Sequence, residues 1–156
     1  MSEKQKISVL MSVYIKENPT FLKDAIESVQ NQTLKPSELV LVEDGPLTPE
    51  LYQVLDQLEA GSDIPVKRYP LEQNQGLGLA LRQGVLQCQY DIIARMDTDD
   101  IAVPDRFEKQ VQLMEKDKLD LLGGHIAEFI DNPDEIVSYR RVPTQHAEIV
   151  AYQRMR

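Results

Sequence analysis

"ISVLMSVYIKENPTFLKDAIESV", residues 7–29, reads as a strand, a turn and a helix in that order. Residues 7–14 are a β-rich run ending at Tyr14. Behind it Phe21, Leu22, Ala25, Ile26 and Val29 recur at helical spacing, which predicts a helix with one apolar face. Asn18 suits the cap of that helix, and Pro19 suits its first turn, where a missing N–H costs nothing. A strand followed by an amphipathic helix is the opening half of a parallel βαβ unit.

The same rhythm continues outward. "ELVLVEDG" (38–45) predicts a second strand, and Thr48 and Pro49 open a helix through about Leu58. "VKRYPL" (66–71) predicts a third strand and "GLALRQGVLQ" (78–87) a third helix. "YDIIARMD" (90–97) predicts a fourth strand, with a helix over "VPDRFEKQVQLMEK" (103–116). Alternation of this kind implies an α/β fold: a Rossmann-like, mainly parallel sheet with helices on both faces. After residue 118 the rhythm changes. "LDLLGGHIAEFID" (119–131) and "EIVSYRRV" (135–142) look like strands joined by the turn "NPDE", and "TQHAEIVAYQRMR" (144–156) starts another helix at Thr144 without a Gly or Pro stop.

The bulk properties narrow the class. At 156 residues, 42% hydrophobic and 28% charged, the chain has the size and composition of one soluble domain. It has no apolar run near the roughly 20 residues that span a bilayer, and its first residues do not form a secretory signal. The single cysteine, Cys88, excludes an intrachain disulfide framework and a Cys-rich zinc site. These features favour the cytoplasm. A net charge of −9 argues against nucleic acid as a partner. An anionic ligand would then need a cation or helix ends to hold it.

In open α/β sheets ligands bind outside the carboxyl ends of the strands. Those ends carry Ser12, Val13 and Tyr14 on the first strand, Glu43 and Asp44 on the second, and Asp97, Asp99 and Asp100 on the fourth. Acids packed this closely repel one another unless water, a cation or a cationic ligand compensates them. A calcium loop starting at Asp97 fails, because Ile101 occupies a ligand position and Ala102 stands where the sharp turn needs Gly. A dehalogenase-type phosphatase needs its Asp-x-Asp after the first strand, as a receiver domain needs its paired acids, and here the acids follow the fourth. The remaining reading is Mg²⁺ or Mn²⁺ held by one or two carboxylates and completed by substrate phosphates. In "EQNQGLGLALRQG" (72–84) the glycine spacing is wrong for a dinucleotide fingerprint. Asn74 and Gly76 instead suit a tight loop near a ligand, with Arg82 further along the helix, where it is equally well a surface residue.

The series "ISVLMSVY", "QTLKPSELVLVEDG" (32–45), "NQGLGLALRQG" (74–84) and "IARMDTDDIAVPDRFEKQV" (93–111) resembles glycosyltransferase family two, with its GT-A fold. The likeness is greatest to the bacterial exopolysaccharide branch typified by amylovoran biosynthesis, and it runs from about residue 7 to the end of the chain, through "RRVPTQHAEI" (140–149). The resemblance implies an inverting, metal-dependent transfer of a sugar from a UDP-sugar to a glycan or lipid-linked acceptor, in the cytoplasm or at the inner face of the plasma membrane. Ser12, Val13 and Tyr14 would line the uridine pocket with Glu17 nearby. Glu43 stands where the family's usual Asp meets the uracil edge, one methylene longer, and Asp44 would buttress that turn. Asn74, Gly76, Arg82, Met96 and Thr98 would complete the donor site. Asp97 would face the ribose and diphosphate and share the metal with Asp99, and Asp100 would join them or cap the next helix.

One family element is missing. Inverting members use a downstream carboxylate base, and Asp120, Glu128, Asp131, Asp134, Glu135 and Glu148 all lack its usual Glu-Asp context. His125 and His146 are unpaired. With the unfinished last helix, this predicts a single donor-binding domain, residues 1–156, that is the amino-terminal fragment of a longer transferase with its base beyond Arg156. The rival from another class is a module that binds a nucleotide sugar without turnover.

Overall fold

The computed structural model describes residues 5–154. The chain divides into two compact units, Met1–Lys116 and Asp117–Arg156.

In the first unit β1 (Ile7–Val13), β2 (Glu38–Glu43), β3 (Val66–Pro70) and β4 (Ile92–Arg95) form one parallel sheet in the order β3-β2-β1-β4. Helices α1 (Pro19–Gln30), α2 (Pro49–Gly61) and α3 (Leu77–Val85) connect them, and α4 (Arg106–Asp117) follows. The two central strands are buried on both faces, and alternate residues serve different layers. Ile7, Val9, Met11, Val13, Leu39 and Leu41 pack with buried residues of α1, α2 and α4. Leu10, Val40 and Val42 face the other way, against Ala80 of α3. Helix α3 lies close to the sheet because residue 84 is Gly; a Cβ there would come within 2.3 Å of Leu10 Cδ1.

The order of the strands positions the site. The chain moves outward from β1 to β2 to β3, then crosses back so that β4 lies on the free side of β1. The carboxyl ends of β1 and β4 are therefore neighbours, at the edge where open α/β sheets bind ligands.

Local chemistry starts and stops the elements. Asn18 Oδ1 accepts from the Thr20 N–H at 2.8 Å and caps α1, and Thr48 caps α2 through the Leu51 N–H at 3.3 Å. The helix expected from Val103 starts instead at Arg106, so Asp100 lies too far upstream to cap it. Pro104 disfavours a helical Val103. The carbonyls of Val103 and Pro104 accept from Gln32 Nε2 and the Thr33 N–H, both at 2.8 Å.

In the second unit β5 (Ile126–Glu128) pairs antiparallel with β6 (Ser138–Arg140), and α5 (His146–Arg154) follows. The strands are three residues each, far shorter than their sequence pattern suggests. Most of their side chains are exposed, and a two-stranded ribbon without a covering layer is only marginally stable. The turn at 132–135 forms as read, with the Glu135 N–H donating to the Asn132 carbonyl at 3.0 Å. Met155 and Arg156, the last residues of the helix expected from Thr144, lie outside the described residues. Among the described residues no helix is long and apolar enough to cross a membrane.

Candidate functional site

Backbone ladders fix the carboxyl edge of the sheet just past the strands. The Met96 N–H donates to the Leu10 carbonyl at 3.0 Å, and the Asp44 N–H to the Val13 carbonyl at 2.8 Å. The Thr98 hydroxyl, 3% exposed, donates to Glu17 Oε2 and lies 3.4 Å from the Ser12 carbonyl. Glu17 itself is fixed locally: its Oε1 accepts from the Asn18 N–H at 2.9 Å, and its own N–H donates to the Tyr14 carbonyl at 3.0 Å. Ser12, Glu17 and Thr98 thus meet past the carboxyl ends of β1 and β4, with Tyr14 exposed beside them.

A second group forms beyond β2. The buried Asp44 carboxylate accepts from the N–H groups of Gln75 and Gly76, at 2.7 and 3.0 Å. These N–H groups sit at the start of α3, which has no side-chain cap of its own, so Asp44 supplies the negative charge that a helix amino end favours. Asn74 Nδ2 donates to the Asp44 carbonyl at 3.2 Å. Gly45, at φ +86°, permits this approach: a Cβ there would come within 2.5 Å of the Asn74 nitrogen. Asp44, Asn74 and Gly76 are therefore one interlocked turn. Arg82 is exposed on α3 and makes no hydrogen bond or ion pair with these groups.

Glu43 is buried on the opposite face of β2, and its Oε1 accepts from Arg68 Nε at 2.5 Å. Arg68 also reaches Asp56 at 2.6 Å and Glu59 at 3.6 Å. Burial alone would lower the Arg68 pKa, but the Glu43 and Asp56 carboxylates raise it. Sequence reasoning missed Arg68 because nothing in "VKRYPL" points to a partner 25 positions away.

The acid cluster beyond β4 is less well compensated. Asp97 accepts from Arg95 Nη2. Asp99 and Asp100 are exposed and form no ion pair among the described residues. Partial burial and the charges of Asp99 and Asp97 push the Asp100 carboxyl above its usual range, against opposing pulls from Arg106 and Arg95. Neither arginine stood out in the sequence, although Arg95 and Asp97 share one side of an extended segment by their spacing.

Among the described residues no three or more His, Cys, Asp or Glu converge to hold a metal ion. Asp97 and Asp99 fit a hard divalent cation of the kind bound by one or two carboxylates and completed by water and phosphate oxygens. They do not form a self-sufficient protein cage. A depression of about 610 Å³ runs along α2 between Pro49 and Ala60 and contains none of these residues. Its one carboxylate, Asp56, is already engaged by Arg68, so it lacks the convergent polar groups of a ligand site.

Known proteins place this geometry in context. The chain is 41% identical over 150 residues to the amylovoran biosynthesis glycosyltransferase AmsE of Erwinia amylovora, covering 96% of this chain and 55% of that protein. It is 38% identical over 152 residues to the Escherichia coli UDP-Gal:alpha-D-GlcNAc-diphosphoundecaprenol beta-1,3-galactosyltransferase, covering 97% and 54%. The chain thus spans about half the length of these relatives. Among solved structures, the mannosyltransferase PcManGT of Pyrobaculum calidifontis, in complex with GDP-Man and Mn²⁺, superimposes with a TM-score of 0.63 at 15% identity, over 72% of this chain and 33% of that one. This likeness shows a shared fold, the GT-A glycosyltransferase architecture. The description Glycosyl transferase family 2 matches residues 8–155, and the chain belongs to that family.

Proposed function

We propose that this chain is the nucleotide-sugar-binding part of an inverting, metal-dependent hexosyltransferase. It takes a UDP-sugar and serves transfer of the sugar to a glycan or lipid-linked acceptor in exopolysaccharide, capsule or O-antigen assembly, in the cytoplasm or at the inner face of the plasma membrane. The observation that carries the reading is the meeting of Ser12, Glu17 and Thr98 at the carboxyl ends of β1 and β4 in a family 2 chain whose β4 runs on into Asp97 and Asp99. The Escherichia coli relative, whose name contains UDP-Gal and a diphosphoundecaprenol acceptor, supports the donor base and the acceptor class.

On this reading Ser12, Val13 and Tyr14 line the uridine, and Glu43 accepts from the N–H on the pairing edge of uracil. Arg68 fixes the orientation of Glu43. Asp44 holds the turn of Asn74 and Gly76 toward the donor, with Arg82 further along α3. Met96 and Thr98 set the height of the Asp97 and Asp99 carboxylates, which hold Mn²⁺ or Mg²⁺. When bound, that cation neutralises the diphosphate and stabilises it as a leaving group. No carboxylate among residues 117–154 is assigned as the acceptor base. Glu128 is held by Ser138 and, at 2.6 Å, by Arg140, which lower its pKa.

Calorimetric titration with UDP, CDP and GDP, in Mn²⁺ and in EDTA, tests the binding claim. UDP is expected to be preferred, and only with the cation present. Equal affinity in EDTA removes the metal assignment, and absence of base preference, or its persistence in Glu43→Gln, removes the role of Glu43. With radiolabelled UDP-sugars and lipid-linked acceptors, these 156 residues are expected to transfer poorly, since a missing base costs ~10²–10⁴-fold. Turnover at the rates of roughly 1–10³ s⁻¹ usual for enzymes would place the base within this sequence.

A further inference from the structure

Two guanidinium groups face the acid cluster, and they are held in different ways. Arg106, the first residue of α4, donates Nη2 to the Arg95 carbonyl at 2.9 Å and Nε to Gln110 Oε1 at 3.1 Å, and its Nη1 lies 2.9 Å from Met96 Sδ. Burial pushes its pKa down. Tied in three directions, it is a fixed brace behind the backbone of residues 95 and 96. Arg95 ends β4, and its guanidinium donates to one group among the described residues, Asp97 Oδ1. Both partners are open to water, with side chains 48% and 37% exposed.

An ion pair this exposed contributes little and exchanges readily for a stronger partner. A divalent cation on Asp97 is such a partner, because it concentrates two charges where the guanidinium spreads one. Two cations on one carboxylate oxygen also repel each other.

We infer that Arg95 is a positioning residue with an exchangeable partner. It neutralises Asp97 while the donor site is empty, a divalent cation displaces it, and the released guanidinium turns to the diphosphate of the donor. The inference rests on the cation-dependent donor site proposed above. Arg95 therefore opposes binding of the cation alone and favours binding of the nucleotide once the cation is in place. Its removal has effects of opposite sign on the two events, whereas a merely structural role would weaken both.

The test uses Arg95→Gln, with free Mn²⁺ followed by electron paramagnetic resonance and UDP binding by calorimetry at saturating Mn²⁺. Mn²⁺ alone is expected to bind about 2–5-fold more tightly than to the parent, and UDP about 2–5-fold more weakly, the scale of an exposed ion pair. Arg95→Lys, which keeps the charge, is expected to restore most of the parent behaviour. If UDP binding to the parent needs Mn²⁺ but Arg95→Gln leaves affinity for Mn²⁺ alone unchanged or weaker, the role of Arg95 is overturned and the site stands. If the parent binds Mn²⁺ neither with UDP nor without it, both fall. A measurement on the parent needs no variant: Mg²⁺ is expected to shift the Arg95 side-chain ¹⁵N resonance, and a resonance that stays fixed through a saturating titration overturns the displacement.

Discussion

Glu38, at the amino edge of the sheet, and the acids 97, 99 and 100, at its carboxyl edge, are the same functional group in opposite circumstances. Glu38 is 2% exposed, yet Ser8 Oγ donates to it at 2.6 Å, the Gln89 N–H at 2.5 Å, and Lys67 Nζ lies 2.7 Å from its other oxygen. Burial alone would raise its pKa, but Lys67, Ser8 and Gln89 together hold it below the usual glutamate range. At the other edge Asp100 moves the opposite way, raised by burial and by its acidic neighbours. The difference lies in the partners, since a carboxylate surrounded by donors is already committed to the fold. Asp99 and Asp100 form no ion pair among the described residues, and they stand at the carboxyl edge, where open α/β sheets bind ligands.

The comparison can be broken most severely through the scaffold of the carboxyl edge. Gly45→Ala adds a Cβ within 2.5 Å of the Asn74 nitrogen at a positive φ. Strain and overlap together are expected to cost about 3 kcal/mol in denaturant unfolding and to abolish UDP binding by displacing the 74–76 turn. Next come two substitutions that should separate the edges. Asp99→Asn is expected to weaken cation-dependent UDP binding by ~1–3 kcal/mol in calorimetry, with uridine binding and thermal stability unchanged. Glu38→Gln is expected to reverse that pattern, losing ~1–3 kcal/mol of stability while keeping UDP affinity.

The pH dependence follows from the sign of the Glu38 shift. Its folded pKa lies below the unfolded one, so its contribution is full above the usual glutamate range and is lost as pH falls through the folded value. Parent and Glu38→Gln stabilities should therefore converge in acid. A gap that stays constant to pH 2 would mean that the charge of Glu38 contributes nothing. The smallest effect is expected from Thr98→Val, which removes the hydroxyl that donates to Glu17. It should cost ~0.5–1.5 kcal/mol of stability and shift uridine affinity more than the affinity for Mn²⁺.

Local signals made the parallel layers legible. The runs at 7–13 and 38–43 are apolar enough to be buried on both faces, and Asn18-Pro19 and Thr48-Pro49 are caps written directly in sequence. The sequence suggests that α4 starts at Val103, whereas Pro104 and the bonds back to Gln32 and Thr33 hold that segment out of the helix. The hairpin strands are shorter than the apolar stretches at 119–131 and 135–142 suggest, and most side chains there are exposed. At the candidate site, acids at strand ends could be recognised by position. Their partners could not: Arg68 meets Glu43 across 25 positions, and Arg106 reaches Met96 only once the chain after β4 has turned back, and no local pattern marks either contact.

The central claim, that the carboxyl-edge acids take a cation together with the donor and the amino-edge acid does not, can be read residue by residue. Mn²⁺ broadens nuclear resonances close to where it binds, so amide spectra of the ¹⁵N-labelled chain would be recorded with UDP, with and without substoichiometric Mn²⁺. Signals of Ser12, Val13 and residues 96–100 are expected to vanish, while those of Ser8, Glu38 and Gln89 stay sharp. Broadening centred on the Glu38 edge, or none at residues 96–100 in the presence of UDP, would contradict the account.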